Sequence, residues 1–250
     1  MGEAPIQAVE RAFEVVRLLE QLDGSGPTEI ADLMGIHKTT AYVYLQSLET
    51  CGFVYKQDGE YRLSYRFLST GNRLRERDRI YQAARDEVTH LAAETGELPT
   101  LVVEESGRAV ILHQQRGENS LELGTYPGMM LPMHTTASGK CLLAHLPDER
   151  IDAVVDGGLE AVTERTVTDV DDLRDRLDGV REDGYAVDFD QQVVGMGVIA
   201  VPILVDDRPV ASLGIGCPSK RLQRASYREE LLQTLFEAQD RISIKYRYGR

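Results

Sequence analysis

Apolar residues at Ile6, Val9, Phe13, Val16, Leu19 and Leu22 recur every three to four positions, the spacing of an amphipathic helix. Asp23-Gly24-Ser25-Gly26-Pro27 interrupts the pattern with chain breakers. Thr28 makes a good N-cap for a short second helix, Glu29–Met34, and Gly35 is its stop. The pattern predicts a third helix from about His37 to Thr50, with Ala41, Tyr44, Leu45 and Leu48 on one face and Gly52 closing it. Two strand-like runs follow, Phe53–Lys56 and Glu60–Leu63. Between them lies Asp58-Gly59, a dipeptide that favours the positive φ angles of a type I′ turn. The order is helix, helix, turn, helix, two-stranded wing.

Residues 66–95 read as one long helix with a charge run through Arg73, Arg75, Glu76, Arg77, Asp78 and Arg79. Such a run is a solvated face, a linker or a dimer contact. Gly96 and Pro99 end it. Strand patterns then appear at Thr100–Glu104, Ala109–His113 and Leu121–Gly124, with helices at Ser138–His145, Asp148–Val155 and Asp169–Asp183. Further strands are predicted at Tyr185–Phe189, Gly197–Val205 and Pro209–Gly216, and a last helix at about Gln223–Ile244. Strands mixed with helices, without β-α-β alternation throughout, predict an α+β domain on a largely antiparallel sheet. The expected organisation is a winged helix-turn-helix over 1–66, a linker helix over 67–96 and a second domain over 97–250.

Composition narrows the class. No apolar run approaches the ~18–20 residues of a membrane span. The N-terminal Met-Gly-Glu-Ala-Pro lacks the basic and apolar regions of a signal peptide, so a cytoplasmic protein without a membrane partner is expected. Three widely spaced cysteines, Cys51, Cys141 and Cys217, argue against a disulfide framework and a structural zinc site. The net charge of −13 would by itself disfavour a nucleic-acid partner, because DNA affinity comes largely from neutralising phosphates. With five lysines against twenty-three arginines and many carboxylates, however, the composition is that of proteins adapted to high salt, as in halophilic archaea. Within this acidic chain, residues 37–66 are mildly basic.

The third helix is the candidate reader of double-stranded promoter DNA. Its exposed start presents His37, Lys38, Thr39, Thr40, Tyr42 and Val43 to a major groove, and the wing would lay Lys56, Gln57 and Arg62 against phosphate or the minor groove. The alternative is a sensing module whose winged domain mediates protein–protein contacts.

The run Gly35-Ile36-His37-Lys38-Thr39-Thr40-Ala41-Tyr42-Val43-Tyr44-Leu45 through Val54 resembles the recognition segment of the isocitrate-lyase-regulator (IclR) family. Leu131 through Ala144 resembles that family's H-A-T/S-x-x-G-K-A-x-L-A block, and Gly184–Asp188, Gly195–Pro202 and Pro218–Arg221 follow its later blocks. The resemblance implies a winged helix-turn-helix, a linker helix and a GAF-like effector-binding domain. It also implies a homodimer or homotetramer, and an effector such as an organic acid or sugar-derived metabolite of carbon catabolism. Beyond that effector no cofactor is expected. The chain departs from the family where relatives carry Pro and Arg at the positions of His37 and Val43. It departs again at Phe189-Asp190-Gln191-Gln192, less acidic than usual, and at Gly214 and Gly216, where relatives often place serines.

Positions matched to the family place Ala137, Ser138 and Gly139 at a helix N-terminus, whose N–H groups and dipole suit a carboxylate or phosphate. Lys140 adds charge there or is a solvated or salt-bridged helix residue. Asp188 accepts from a ligand hydroxyl or is a strand-end carboxylate in water. Leu123, Met133 and Val198 are apolar walls or plain core, and Gly214 and Gly216 offer backbone N–H groups. An enzyme has no support, because G-x-S-x-G and G-x-x-x-x-G-K-[ST] are absent. A metal at Asp188-x-Asp190 or among His113, His134 and Cys217 matches no ligand spacing.

Overall fold

The computed structural model describes residues 5–120, 122 and 124–249, and the chain divides between Arg75 and Glu76 into two units. The first holds α1 (Gln7–Leu22), α2 (Pro27–Met34) and α3 (Lys38–Thr50), then a hairpin of β1 (Val54–Gln57) and β2 (Glu60–Leu63), and most of α4 (Arg66–Arg77). Its core joins Val15 and Leu19 of α1 to Ile30, Ala31, Ala41, Leu45, Val54 and Tyr61. Asp58 and Gly59 have φ of 52° and 90°, so the hairpin turns as their dipeptide predicts. Ser25 bridges to Tyr61 and adds a third short rung to the wing.

Two local expectations fail here. Thr28 is not the N-cap of α2. Gly26 takes that position and Pro27 the first helical one, where a missing N–H leaves nothing unpaired. In α1 the buried stripe is Val15 and Leu19, while Ile6, Val9 and Phe13 remain exposed, so the helix is apolar on a second side.

The second unit corrects the single long helix over 66–95. Asp78 is extended (φ −75°, ψ 124°) and its carboxylate accepts the Ile80 N–H at 2.8 Å, starting a new helix, α5 (Arg79–Thr95). This helix is core material rather than a free linker, because it buries Ile80, Ala83, Ala84, Val88 and Leu91. A six-stranded sheet follows, built from β3 (Leu98–Glu105), β4 (Arg108–Gln114), β5 (Met130–Pro132), β6 (Ala186–Phe189), β7 (Met196–Val205) and β8 (Arg208–Pro218). Its order is β5-β4-β3-β8-β7-β6 and every pairing is antiparallel.

Alternation along the strands divides the residues between two helical layers. Leu101, Ile199, Val201, Leu213, Ile215 and Cys217 pack on α5 and on α10 (Ala225–Tyr248), which follows the short α9 (Ser219–Leu222). Val102, Ala109, Ile111, Ala186 and Ala200 pack instead with α6 (Ala137–Leu143), α7 (Asp148–Asp156) and α8 (Val170–Asp183). Glu87 of α5 accepts from Arg241 Nε (2.8 Å) and Lys245 Nζ (2.7 Å) of α10, fastening one layer together. The sheet's edge beside β4 is β5; of the strand expected at Leu121–Gly124, Leu121 and Leu123 lie outside the described residues.

Candidate functional site

Gly35, at φ 64°, reverses the chain between α2 and α3 and sends its N–H to the carbonyls of Ala31 and Asp32. Buried Ala31 lets the two helices approach, and the partly buried Ile36 packs on the same core. Helix α3 is thereby held with its first two turns outward. His37, Lys38, Thr39, Tyr42 and Val43 are exposed and Thr40 is half-buried, so the six residues expected to read DNA share one accessible face. Val43, an apolar side chain on that face, is 59% exposed.

The wing separates residues that the sequence reading had grouped. Register pairs Lys56 with buried Tyr61 and pairs Tyr55 with Arg62, so Lys56 and Arg62 sit on opposite faces of the hairpin. Lys56 Nζ lies 5.3 Å from the Tyr61 ring centroid. Arg62 is already engaged by Glu60 at 3.0 Å and Asp23 at 3.6 Å, whereas Gln57 is exposed.

In the second unit, register gathers the expected effector residues. One row across the sheet reads Asp188, Val198, Gly216 and Leu98; the next reads Ala186, Ala200, Gly214 and Thr100. Helix α6 packs on this face, with buried Met133 in the 3-10 turn just before it. Met133 also fixes the backbone, since a Cβ at Gly139 would lie 2.2 Å from the Met133 carbonyl oxygen.

The gathered site is filled from within. Asp188 is 2% exposed, and its Oδ2 accepts the Ala137 N–H at 2.5 Å. Thr136 Oγ1 accepts the Gly139 N–H at 2.9 Å. Two N–H groups expected to hold a ligand anion are therefore taken, and Asp188 is neither solvated nor open to a hydroxyl. Lys140, also 2% exposed, is neither a free cation nor a solvated one: its Nζ donates to the His134 carbonyl (3.0 Å) and to Gln191 Oε1 (2.8 Å). Thr166 Oγ1 donates to the Gln191 carbonyl at 2.8 Å and holds that loop in place. The glycines of β8 are room for neighbours. A Cβ at 214 would fall 2.7 Å from Ser138 Oγ, and one at 216 would fall 2.5 Å from Met196 Cε. Leu123 lies outside the described residues.

Burial sets the electrostatics. It pushes Asp188 up to about 6, against the pull of the Lys140 charge and the Ala137 N–H, and it lowers Lys140 to about 8, against the Asp188 charge. Burial also drives Cys141 and Cys217 up to about 12, and it lowers His134, whose Nε2 contacts the Glu160 carbonyl at 3.0 Å. Among the described residues no group of three His, Cys, Asp or Glu is placed to hold a metal ion. Asp190 instead accepts from the Gly195 N–H and Ser219 Oγ, both at 2.7 Å.

The sequence does not show Met196 and Thr166 as members of this site, and it marks Gln191 only as a departure from the family's acidic run, not as the partner of Lys140. Each acts through a neighbour distant in sequence.

A reading helix on an uncovered face, followed by a three-layer sensing unit, defines a DNA-binding transcription regulator with an effector-binding domain. Residues 8–58 match the IclR helix-turn-helix domain, and residues 73–244 match the family described as bacterial transcriptional regulator IclR C-terminal. The chain is 33% identical over 254 residues to the glycerol operon regulatory protein of Streptomyces coelicolor, covering 98% of each. It is 29% identical over 247 residues to a probable HTH-type transcriptional regulator, ArcR, of Halobacterium salinarum, covering 96% of this chain and 94% of the relative. Among solved structures, the Thermotoga maritima IclR superposes with a TM-score of 0.81 at 28% identity, over 98% of this chain and 99% of that one. The chain belongs to the IclR family of transcriptional regulators.

Proposed function

We propose that the chain reads a palindromic promoter site as a dimer through His37, Lys38, Thr39, Thr40, Tyr42 and Val43, and that an organic acid or sugar-derived metabolite governs that binding. The observation carrying the DNA contacts is the uncovered face of α3, where polar and apolar side chains stand together with no core to serve. Support for the dimer comes from the first unit. Phe13 of α1 and Phe67 of α4 line one small apolar pocket, and Ile6, Val9 and Leu68 are exposed as well. The assembly is a homodimer or a pair of dimers, acting in the cytoplasm where the promoter is.

The effector enters at the face of α6, Val198, Gly214 and Gly216. Its carboxylate replaces Asp188 at the Ala137 N–H, and Met196 swings off Gly216 to admit the rest of the molecule. Ligand then stabilises one arrangement of the sensing unit over another. By extension from relatives such as the glycerol operon regulator, the genes controlled are catabolic ones.

The test is a mobility-shift assay with the upstream region of the chain's own gene, from low to molar KCl, with small carboxylates and polyols added. A specific shift that one of these ligands alters is expected. No specific shift at any salt concentration would overturn the reading in favour of a protein-binding wing. A thermal-shift screen of the same ligands locates the sensor, since binding raises the melting temperature of the wild type. The rise should vanish in Gly216→Leu.

A further inference from the structure

The sheet ends at β6, so alternate peptide groups of that strand have no strand beyond them. Along this edge runs a cavity of about 310 Å³ between α8, the start of α10 and Lys140 of α6. Val180, Val187 and Phe189 give it apolar walls. Its charged groups are Lys140, Arg176, Arg228 and Asp183, three cations to one anion in a chain of net charge −13.

The cations are unequally engaged. Arg176 pairs with Asp172 at 2.9 and 3.2 Å, and the Lys140 ammonium has its two oxygen partners. Arg228 is half-buried, and its guanidinium makes no hydrogen bond or ion pair among the described residues. It also stands in the first turn of α10, where a cation opposes the helix dipole and which holds no acidic residue. A guanidinium at that end of a helix, with no partner of its own, gains charge-assisted hydrogen bonds from an anion that joins it. Opposite it, Gly179 sits inside α8, where glycine is a poor helix former. A Cβ there would meet nothing within 4 Å, so the missing side chain leaves open space over the cavity.

We propose that this edge cavity binds a small dianionic metabolite, either a dicarboxylate or a phosphate monoester, through Arg228 and Arg176 with Lys140 at the inner wall. The site lies at the sheet edge, off the Val198, Gly214 and Gly216 face where the effector is proposed to enter, and it shares Lys140 and Ala186 with the residues gathered there. Through Lys140 the two are electrostatically joined, because the same ammonium acts on Asp188. An occupant at the edge is a second input to the sensing unit, with recognition built on charge rather than on the α6 N-terminus.

Isothermal titration of the full chain with succinate and with inorganic phosphate, at fixed ionic strength in KCl, tests the proposal. Saturable binding of one or both probes is expected, and the better probe tells a dicarboxylate from a phosphate ligand. Arg228→Gln should weaken it about tenfold or more. Asp183→Asn removes the one opposing charge and should tighten it. Gly179→Leu fills the cavity and should abolish binding without lowering the melting temperature in chloride alone. Absence of saturable binding by either probe, or equal binding by wild type and Arg228→Gln, overturns the proposal. Neither result touches the DNA-reading role or the Gly216→Leu test, which concern other surfaces.

Discussion

Asp188 shows how far one carboxylate departs from its reading in sequence. Alone at a strand end it is a solvated acid; in the fold it is buried and caps a helix 51 residues away. Its raised pKa has a defined stability consequence. Below pH 4 both folded and unfolded chains carry the proton. Between pH 4 and 6 only the folded chain keeps it, so this group's contribution falls as pH rises through that window and is level above it. Asp188→Asn lacks the titration and keeps an acceptor for Ala137. The stability difference between the two proteins should therefore shift against the wild type by roughly 2–3 kcal/mol from pH 4 to 6, at about 1.4 kcal/mol per pH unit. Urea unfolding at both pH values measures it, and a difference constant with pH would show that Asp188 is ionised throughout.

Elements whose signals are local were legible from sequence. Gly35, Asp58-Gly59 and the three-to-four spacing of α3 each depend on neighbours a few residues away, and together they define the DNA-reading unit. The helix start at Asp78 was hidden inside a charge run, although its N-cap carboxylate two residues ahead of Ile80 is a recognisable signal. The filling of the sheet face was not legible, because Met196 over Gly216 and Ser138 over Gly214 are consequences of register and packing. The clamp between α5 and α10 likewise appears only in three dimensions. Burial raises the Glu87 pKa, but Lys245 and Arg241 outweigh it and hold the carboxyl below its usual value, so the clamp is intact at neutral pH and is lost as pH falls through that lowered value. Glu87→Gln, which leaves both cations short of their partner, should cost about 1–3 kcal/mol at pH 7 and much less in acid. Equal losses at both pH values in thermal or urea unfolding would contradict the charged clamp.

At the scale of the molecule, the net charge of −13 opposes both compaction and approach to DNA unless salt screens it. The Debye length shrinks from about 10 Å at 0.1 M to about 3 Å at 1 M. We therefore expect the unfolding midpoint to rise from low to molar KCl, and a flat response would remove the high-salt reading of the composition. The first unit carries two exposed faces, one on α3 and one on α1, and on the proposed reading these are where screened approach would become specific contact. The most direct test is fluorescence anisotropy of the full chain on a labelled duplex from its own upstream region, against a scrambled duplex in the same KCl. The wild type should prefer the specific duplex by about a thousandfold or more. Thr39→Ala and Tyr42→Ala should lose most of that preference, while Lys38→Ala weakens both duplexes alike. Equal affinity of the wild type for the two duplexes, or variants at 39 and 42 that keep full preference, would contradict the account.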